Sequence, residues 1–166
     1  MKNNIVLIGM PGVGKSTVGV VLAKVLGYEF VDSDLLIQKA EGKLLKDIIV
    51  EKGAEGFIEV ENQVNANINV THSVIATGGS AVYGKEAMAH FKEIGTIVYL
   101  KQNLTELKAR LSDINNRGVV LKNGQNLDTL FEERCELYEA YADLVVDEAG
   151  LSLEETLQKT LQLLEG

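Results

Sequence analysis

Residues 9–16 carry the most specific chemical signal in this sequence. They read GMPGVGKS, a full match to the Walker A pattern. Glycines allow consecutive backbone N–H groups to converge on phosphate oxygens, and the helix that follows points its free N–H groups at the same anion. An ordinary strand–helix turn is the alternative, which the complete pattern after an apolar run disfavours. The sequence therefore predicts a phosphate-binding loop for ATP.

Two side chains of this loop have separate predicted roles. Lys15 should reach the β- and γ-phosphates of ATP, and Ser16 should be a ligand of Mg²⁺. ATP and Mg²⁺ are therefore the predicted cofactors. The loop residues that we expect to bind the nucleotide are Gly12, Val13, Gly14, Lys15, Ser16 and Thr17.

Two carboxylates, Asp32 and Asp34, follow the second predicted strand. Either could simply cap the next helix, which is a common role for aspartate. Beside a phosphate-binding loop, however, Mg²⁺ and a nucleophilic hydroxyl both need carboxylates nearby. Residues i and i+2 of a strand point to the same side of the sheet. We therefore expect both carboxylates to face the site.

The chain has only three arginines, and each could be either an ordinary surface residue or part of the site. Arg117, in a polar segment, is either a solvated loop residue or a lid cation that closes over the transferring phosphoryl group. Arg134 lies on a predicted long helix, where it could simply form a surface ion pair with Glu133 or Asp143. Arg110 is either a helix-surface cation or a platform against the adenine base.

Two adjacent glycines, Gly78 and Gly79, follow the third predicted strand. Paired glycines permit a substrate to approach the backbone closely, but a plain turn explains them equally well. The single cysteine, Cys135, is interpreted as a small packing residue.

Short apolar runs alternate with helix-periodic segments along the chain, which is typical of a doubly wound α/β layer fold. In such sheets ligands bind beyond the carboxyl ends of the strands, where the three candidate motifs lie. The polar segment 112–124 is predicted to be a mobile loop. The predicted strands are 5–8, 28–31, 73–76, 96–100 and 144–147. The predicted helices are 15–26, 35–40, 44–52, 54–67, 84–91, 104–111, 127–142 and a last helix from a Ser152 cap to residue 164.

Composition narrows the class of protein. A chain of 166 residues, nearly half of them apolar, fits one compact domain. A formal charge of −8 leaves no basic stripe for nucleic acid, and no apolar run reaches the length of a membrane span. One cysteine suits a reducing compartment. We expect a cytoplasmic monomer that binds a small molecule, and neither nucleic acid nor a membrane.

With these residues identified, the chain resembles the shikimate kinase family of nucleoside-monophosphate-kinase-like P-loop enzymes. The Walker A loop, the Asp32-Ser33-Asp34 segment, Gly53 and Phe57, the Thr77-Gly78-Gly79 segment, Arg117, and Arg134 followed by Leu137-Tyr138 occur in family order. The resemblance implies a three-layer P-loop fold with a five-stranded parallel sheet flanked by helices. It implies a single kinase domain over residues 1–166, with a mobile lid at about 112–124.

The resemblance also implies roles for the site residues. It places Asp32 in the Mg²⁺ shell, Asp34 at the substrate hydroxyl and Arg110 at the adenine. It gives Lys15 and Arg117 the charge of the transferring phosphoryl group. The substrate would be bound by Asp34, Gly78, Gly79 and Arg134, with Arg134 at its carboxylate. The implied reaction converts ATP and shikimate to ADP and shikimate 3-phosphate, a step of aromatic amino acid (chorismate) biosynthesis.

The sequence departs from the family pattern at three positions. An arginine expected to bind the substrate carboxylate is Ile58, the third glycine after the third strand is Ser80, and the proline after Arg117 is Gly118. The first two departures fall in the acceptor pocket, whereas the ATP motif is intact. A related kinase with another small hydroxy acceptor is therefore an alternative, and a non-catalytic nucleotide-binding module is a second one.

Glu61 is the residue that these departures affect most. It lies three residues after Ile58 on a predicted helix, so the two share a face. The family's arginine would be oriented by this acid, and here the acid remains without it. A buried carboxylate needs a cation, water or ligand as partner, so either Arg134 turns to Glu61 or the acceptor donates to it. Both possibilities predict weak shikimate binding.

Overall fold

The computed structural model describes residues 2–110 and 126–166. Its five strands form one parallel sheet in the order β2-β3-β1-β4-β5. The strands are β1 Asn4–Ile8, β2 Glu29–Asp32, β3 Ser73–Ala76, β4 Gly95–Lys101 and β5 Leu144–Asp147. The helices are α1 Lys15–Leu26, α2 Ser33–Glu41, α3 Leu45–Ala66, α4 Lys85–Ile94, α5 Leu104–Arg110, α6 Leu127–Tyr141 and α7 Leu153–Glu165, with a 3-10 helix at Ala81–Tyr83.

The central strand β1 and its neighbour β3 are buried along their whole length. Every residue of β1 and β3 is buried, as expected for parallel strands that helices cover on both faces. β1 lies between β3 and β4, with Ile5 paired to Val74 on one side and to Thr96 on the other. The predicted α/β fold with a five-stranded parallel sheet is confirmed.

The ends of α1 have a clear local cause. The helix begins after Gly14 and ends at Gly27, and both glycines have the left-handed backbone conformation that other residues rarely adopt. The phosphate-binding loop is thus joined to the helix by a residue that must be glycine. The predicted bounds 15–26 match the observed helix.

The segment predicted as two helices, 44–52 and 54–67, is one kinked element. Gly53 has φ 73° and ψ 176° inside α3, which separates its two halves. Beneath the kink, Ile37, Ile48 and Phe57 form a small buried cluster, and Ile58 packs against it. This cluster is separate from the main core around the sheet. It joins α2 to α3 and so fixes the element that carries Glu61.

One expectation about strand geometry is wrong. Asp34 does not lie on a strand with Asp32, because β2 ends at Asp32 and α2 begins at Ser33. The short 3-10 helix after β3 was also not predicted. No helix in the described part of the chain is long and apolar enough to cross a membrane.

Candidate active site

A cavity of about 350 Å³ lies at the carboxyl ends of the strands. The phosphate-binding loop and the start of α1 line one side of it. Residues of α2, α3, α6 and the loop after β3 line the other side. The lining residues are Pro11, Gly12, Gly14, Lys15, Ser16, Thr17, Asp34, Leu45, Phe57, Glu61, Thr77, Gly78, Gly79, Ser80 and Arg134. Most of the site residues predicted from the sequence are therefore brought together.

Close packing explains two glycines of the phosphate-binding loop. A Cβ on Gly9 would lie 2.6 Å from the Leu100 carbonyl oxygen, and a Cβ on Gly14 would lie 2.9 Å from Leu153 Cδ2. Of the loop residues predicted to bind the nucleotide, Val13 does not line the cavity, since its side chain is buried in the core. The loop is therefore set tightly between the carboxyl end of β4 and the start of α7.

Lys15 is buried at the centre of the loop. Its Nζ donates to the carbonyl oxygens of Gly9, at 2.6 Å, and Met10, at 2.9 Å. Burial lowers the pKa of Lys15 to about 8, and the positive charge of Arg134 acts in the same direction, whereas Asp34 opposes the shift. The ammonium group is thus poorly solvated, which strengthens its attraction to an anion in the cavity.

The two aspartates take different positions. Asp32 caps α2, because its Oδ1 accepts from the backbone N–H groups of Asp34, at 2.9 Å, and Leu35, at 3.4 Å. The capping interpretation is therefore correct for Asp32. Asp34 lines the cavity from the first turn of α2. The pKa of Asp34 is raised to about 6, mainly by burial and also by the neighbouring Asp32, while Lys15 counteracts the rise.

Charged side chains approach both of the paired glycines closely. A Cβ on Gly78 would lie 2.8 Å from Asp34 Oδ1 and 3.0 Å from Glu61 Oε2. A Cβ on Gly79 would lie 2.7 Å from Arg134 Nη1. Hence the loop after β3 admits two carboxylates and a guanidinium against its backbone, and this is more than a plain turn requires.

Arg134 is buried in the cavity wall and does not belong to the surface. Only 1% of the residue is exposed, and its Cζ lies 5.6 Å from the centre of the Tyr83 ring. One turn further along α6, the hydroxyl of Tyr138 donates to the Gly79 carbonyl oxygen at 2.6 Å. The surface interpretation of Arg134 is therefore wrong. Helix α6 presents a fixed cation to the cavity and anchors the glycine loop.

Of the other two arginines, the structure describes Arg110 but not Arg117. Nη1 of Arg110 donates to the Gly12 carbonyl oxygen at 2.9 Å, and its Nε is 3.3 Å from Glu106 Oε1. Arg110 thus touches the phosphate-binding loop without lining the cavity. Arg117 and the predicted lid at 112–124 lie outside the described residues.

Glu61 has a partner that the sequence reasoning missed. The hydroxyl of Ser80 donates a buried hydrogen bond to Glu61 Oε1 at 2.6 Å. Burial raises the pKa of Glu61 to about 7, whereas the hydrogen bond from Ser80 lowers it. Ile58, in contrast, does not line the cavity. The sequence did contain a signal for this contact: the family pattern has glycine at position 80, and Glu61 lacks the arginine that would be its partner.

A second buried acid, Glu148, was also missed. It directly follows β5 and is 2% exposed. Burial raises its pKa to about 7, and the positive charge of Arg110 lowers it, as does a hydrogen bond from Thr156. Its position after a strand, at the edge where ligands bind, could have indicated it.

Comparison with known proteins places this site in a family. The family model described as shikimate kinase matches residues 11–165. The chain belongs to the shikimate kinase family. The predicted family and the predicted ATP-dependent small-molecule kinase are therefore confirmed.

Individual relatives are similar to this chain over nearly its whole length. The shikimate kinase of Persephonella marina is 39% identical over 150 residues, which cover 90% of this chain and 91% of the relative. That of Thermodesulfovibrio yellowstonii is 36% identical, over 96% of this chain and 93% of the relative. Among solved structures, shikimate kinase from Acinetobacter baumannii in complex with shikimate has a TM-score of 0.89 and 32% identity, covering 99% of this chain and 94% of that one.

Proposed function

We propose that this chain transfers the γ-phosphoryl group of ATP to the 3-hydroxyl of shikimate. One observation carries the proposal: a single cavity holds a phosphate-binding loop on one side and a carboxylate, Asp34, with a buried guanidinium, Arg134, on the other. Phosphoryl transfer needs little more than positioning of donor and acceptor and stabilisation of charge. The structural neighbour from Acinetobacter baumannii, which binds shikimate, supports the choice of acceptor.

On the donor side, the proposed work of the protein is electrostatic. The backbone N–H groups of the loop and the start of α1 bind the phosphates of ATP. Lys15 exchanges its two carbonyl partners for phosphate oxygens and neutralises the charge that develops on the transferring group. Arg110 contacts the adenine side, next to the loop that it already touches. Arg117 is proposed to add a second cation at the phosphoryl group, as the sequence predicted.

Ser16 and Asp32 fit a magnesium ion. They supply a hydroxyl and a carboxylate, the oxygen ligands that Mg²⁺ prefers. No group of three or more acidic, histidine or cysteine side chains suited to a metal occurs in residues 2–110 and 126–166. That suits Mg²⁺ in an ATP site, where one or two protein ligands are completed by phosphate oxygens and water. When bound, the ion would balance phosphate charge.

On the acceptor side, we assign three contacts. Asp34 accepts the hydrogen bond of the hydroxyl that is phosphorylated, and so orients it toward the γ-phosphate. Arg134 binds the carboxylate of the acceptor. Gly78 and Gly79 allow the acceptor to approach the backbone of the loop after β3. The proposed functional unit is the whole chain, as one cytoplasmic kinase domain.

A second candidate acceptor is a different small hydroxy compound. The observation that favours it is Ile58, which stands where the family pattern has a carboxylate-binding arginine and packs against an apolar cluster. One charge-assisted hydrogen bond contributes roughly 1.5–3 kcal/mol, which corresponds to about a 10- to 150-fold difference in binding. Its loss weakens the case for shikimate without changing the type of reaction.

Product analysis tests the proposal. The protein is incubated with ATP, Mg²⁺ and shikimate, and the products are followed by ³¹P NMR and mass spectrometry. We expect a new phosphate monoester on the 3-hydroxyl of shikimate, and none with Lys15→Ala. A panel of other hydroxy acids and polyols runs in parallel. Phosphorylation of one of these, with shikimate untouched, would establish the second candidate.

A further inference from the structure

The hydrogen bond between Ser80 and Glu61 connects two elements of the acceptor wall. Ser80 lies in the loop after β3 and is 4% exposed, and Glu61 lies on α3 and is 2% exposed. The 2.6 Å contact joins residues 19 apart in sequence. Both residues line the cavity. Nothing in the proposed reaction so far uses either side chain.

Glu61 is surrounded by charged groups of the cavity, so its orientation affects them. Among the described residues, its Oε2 has no hydrogen-bond partner. This oxygen and Asp34 Oδ1 approach the same point beside Gly78, at 3.0 and 2.8 Å from the Cβ position. The charged groups that face Glu61 are Asp34 from α2, Arg134 from α6 and Lys15 from α1. Glu61 is therefore placed among the groups assigned to the acceptor and to phosphoryl transfer.

We propose that Ser80 is a specificity-determining positioning residue, whose hydroxyl fixes the Glu61 carboxylate in the acceptor wall and thereby sets how tightly the acceptor binds. This inference rests on the proposed function, since it concerns the same cavity. Ser80 takes over the task of orienting Glu61, which an arginine at position 58 would otherwise perform. The two departures from the family pattern, Ile58 and Ser80, thus belong to one arrangement.

The physical reason is the cost of a buried carboxylate without donors. If Ser80 lost its hydroxyl, neither oxygen of Glu61 would have a hydrogen-bond partner among the described residues. The carboxylate would then turn toward a cation of the cavity or take up a proton. A Glu61 carboxylate that turns toward Arg134 competes with a carboxylate-bearing acceptor for that guanidinium and raises the KM, whereas protonation of Glu61 would lower it. We expect the first response to dominate when shikimate is assayed at a pH above the pKa of Glu61. The nucleotide lies on the other side of the cavity, so its binding should not respond.

Steady-state kinetics with shikimate, at saturating ATP and Mg²⁺, test the proposal. For Ser80→Ala we expect the KM for shikimate to rise about tenfold, because a Glu61 carboxylate that turns to Arg134 competes with the acceptor carboxylate for one charged hydrogen bond. The kcat should change less than about threefold, and the KM for ATP should not change. Ser80→Thr retains the hydroxyl and should restore the KM. Ser73→Ala is the matched control, because it removes a buried serine hydroxyl at the other end of β3.

A titration that does not depend on turnover completes the test. The carboxyl carbon of Glu61, labelled with ¹³C, is followed by NMR against pH in the parent, Ser80→Ala and Ser80→Thr. Since the hydrogen bond from Ser80 lowers the pKa of Glu61, the midpoint should rise in Ser80→Ala and return in Ser80→Thr. An unchanged midpoint, or an unchanged shikimate KM in Ser80→Ala, would overturn the role of Ser80. A parent protein that does not phosphorylate shikimate contradicts the proposed function instead, and the titration still decides whether Ser80 fixes Glu61.

Discussion

Lys15 is the residue on which the donor side depends most. It is a buried cation within the loop, and it holds two carbonyl oxygens while its pKa is lowered by burial. A cation of this kind stabilises charge that grows as the phosphoryl group leaves ATP.

We expect Lys15→Ala to lower kcat with shikimate at least about a hundredfold, as for loss of one transition-state contact. Lys24→Ala, on the exposed face of α1, is the control and should retain activity. Circular dichroism would verify that both variants fold. Normal turnover by folded Lys15→Ala would rule out the assigned role.

Ile58 stands where the family pattern has a carboxylate-binding arginine, but it packs against the small apolar cluster and does not line the cavity. Ile58→Arg places a cation three residues before Glu61 on α3. The sequence predicts that the KM for shikimate then falls at least about tenfold, through one more charged hydrogen bond. Since Ile58 packs against the small cluster, the melting temperature should fall as well.

Ile58→Met is the matched control for that substitution, because it keeps an apolar side chain of similar volume and adds no charge. Its shikimate KM should equal that of the parent. If Ile58→Arg left the KM unchanged or raised it, a lysine such as Lys46 or Lys52 would already replace the missing charge in the parent.

At the scale of elements, the β2–α2 junction combines two tasks in Asp32. The carboxylate caps α2 and is assigned to Mg²⁺. Asparagine is as good a helix cap as aspartate, whereas alanine costs about 1 kcal/mol. We expect Asp32→Asn to keep the stability of the parent and Asp32→Ala to lose about that amount in urea unfolding. Both should need more Mg²⁺ for half-maximal activity. A parent-like Mg²⁺ dependence in Asp32→Asn would remove Asp32 from the metal site.

Local sequence patterns were sufficient to predict most helices and strands. They failed where the boundary between a strand and a helix differed by a residue or two from the predicted one. The glycines at 14, 27 and 53 mark the start of α1, its end and the kink of α3 through their own backbone conformation. Asp34 was expected on the strand with Asp32 and lies on α2 instead, because the Asp32 cap starts that helix immediately after β2. The bond between Ser80 and Glu61 joins distant segments, and no local pattern reports such a contact.

For the whole molecule, the sheet explains why the motifs meet. Parallel strands place their carboxyl ends at one edge, so the loops after β1, β2 and β3 converge on one cavity. That convergence could be predicted from the order of motifs alone. The burial of Arg134 could not, because it depends on how α6 packs against the sheet.

The buried acids give the whole molecule a defined pH dependence. Burial raises the pKa of Glu61 and of Glu148 from 4.5 to about 7. Between these values the folded chain binds more protons than the unfolded chain, so the free energy of unfolding falls as pH rises. The opposite contribution of Lys15, whose pKa is lowered to about 8, begins only above that window.

We therefore expect urea unfolding to give a larger free energy at pH 5.5 than at pH 7.5. Glu61→Gln should reduce the difference by up to about 2 kcal/mol, because Glu61 titrates over about 1.5 pH units between pH 5.5 and its folded pKa of about 7, at about 1.4 kcal/mol per unit. Glu59→Gln, at a position on α3 that does not line the cavity, serves as the control. Equal pH dependence in the parent and Glu61→Gln would show that Glu61 titrates normally.

The most direct test of the central claim is the rate of ADP release with and without shikimate. The parent protein is assayed with saturating ATP and Mg²⁺ in a coupled assay. If the cavity joins a phosphate donor to a shikimate acceptor, shikimate should raise the rate at least about a hundredfold, and the increase should saturate with its concentration. A rate that is the same in both conditions would contradict the account.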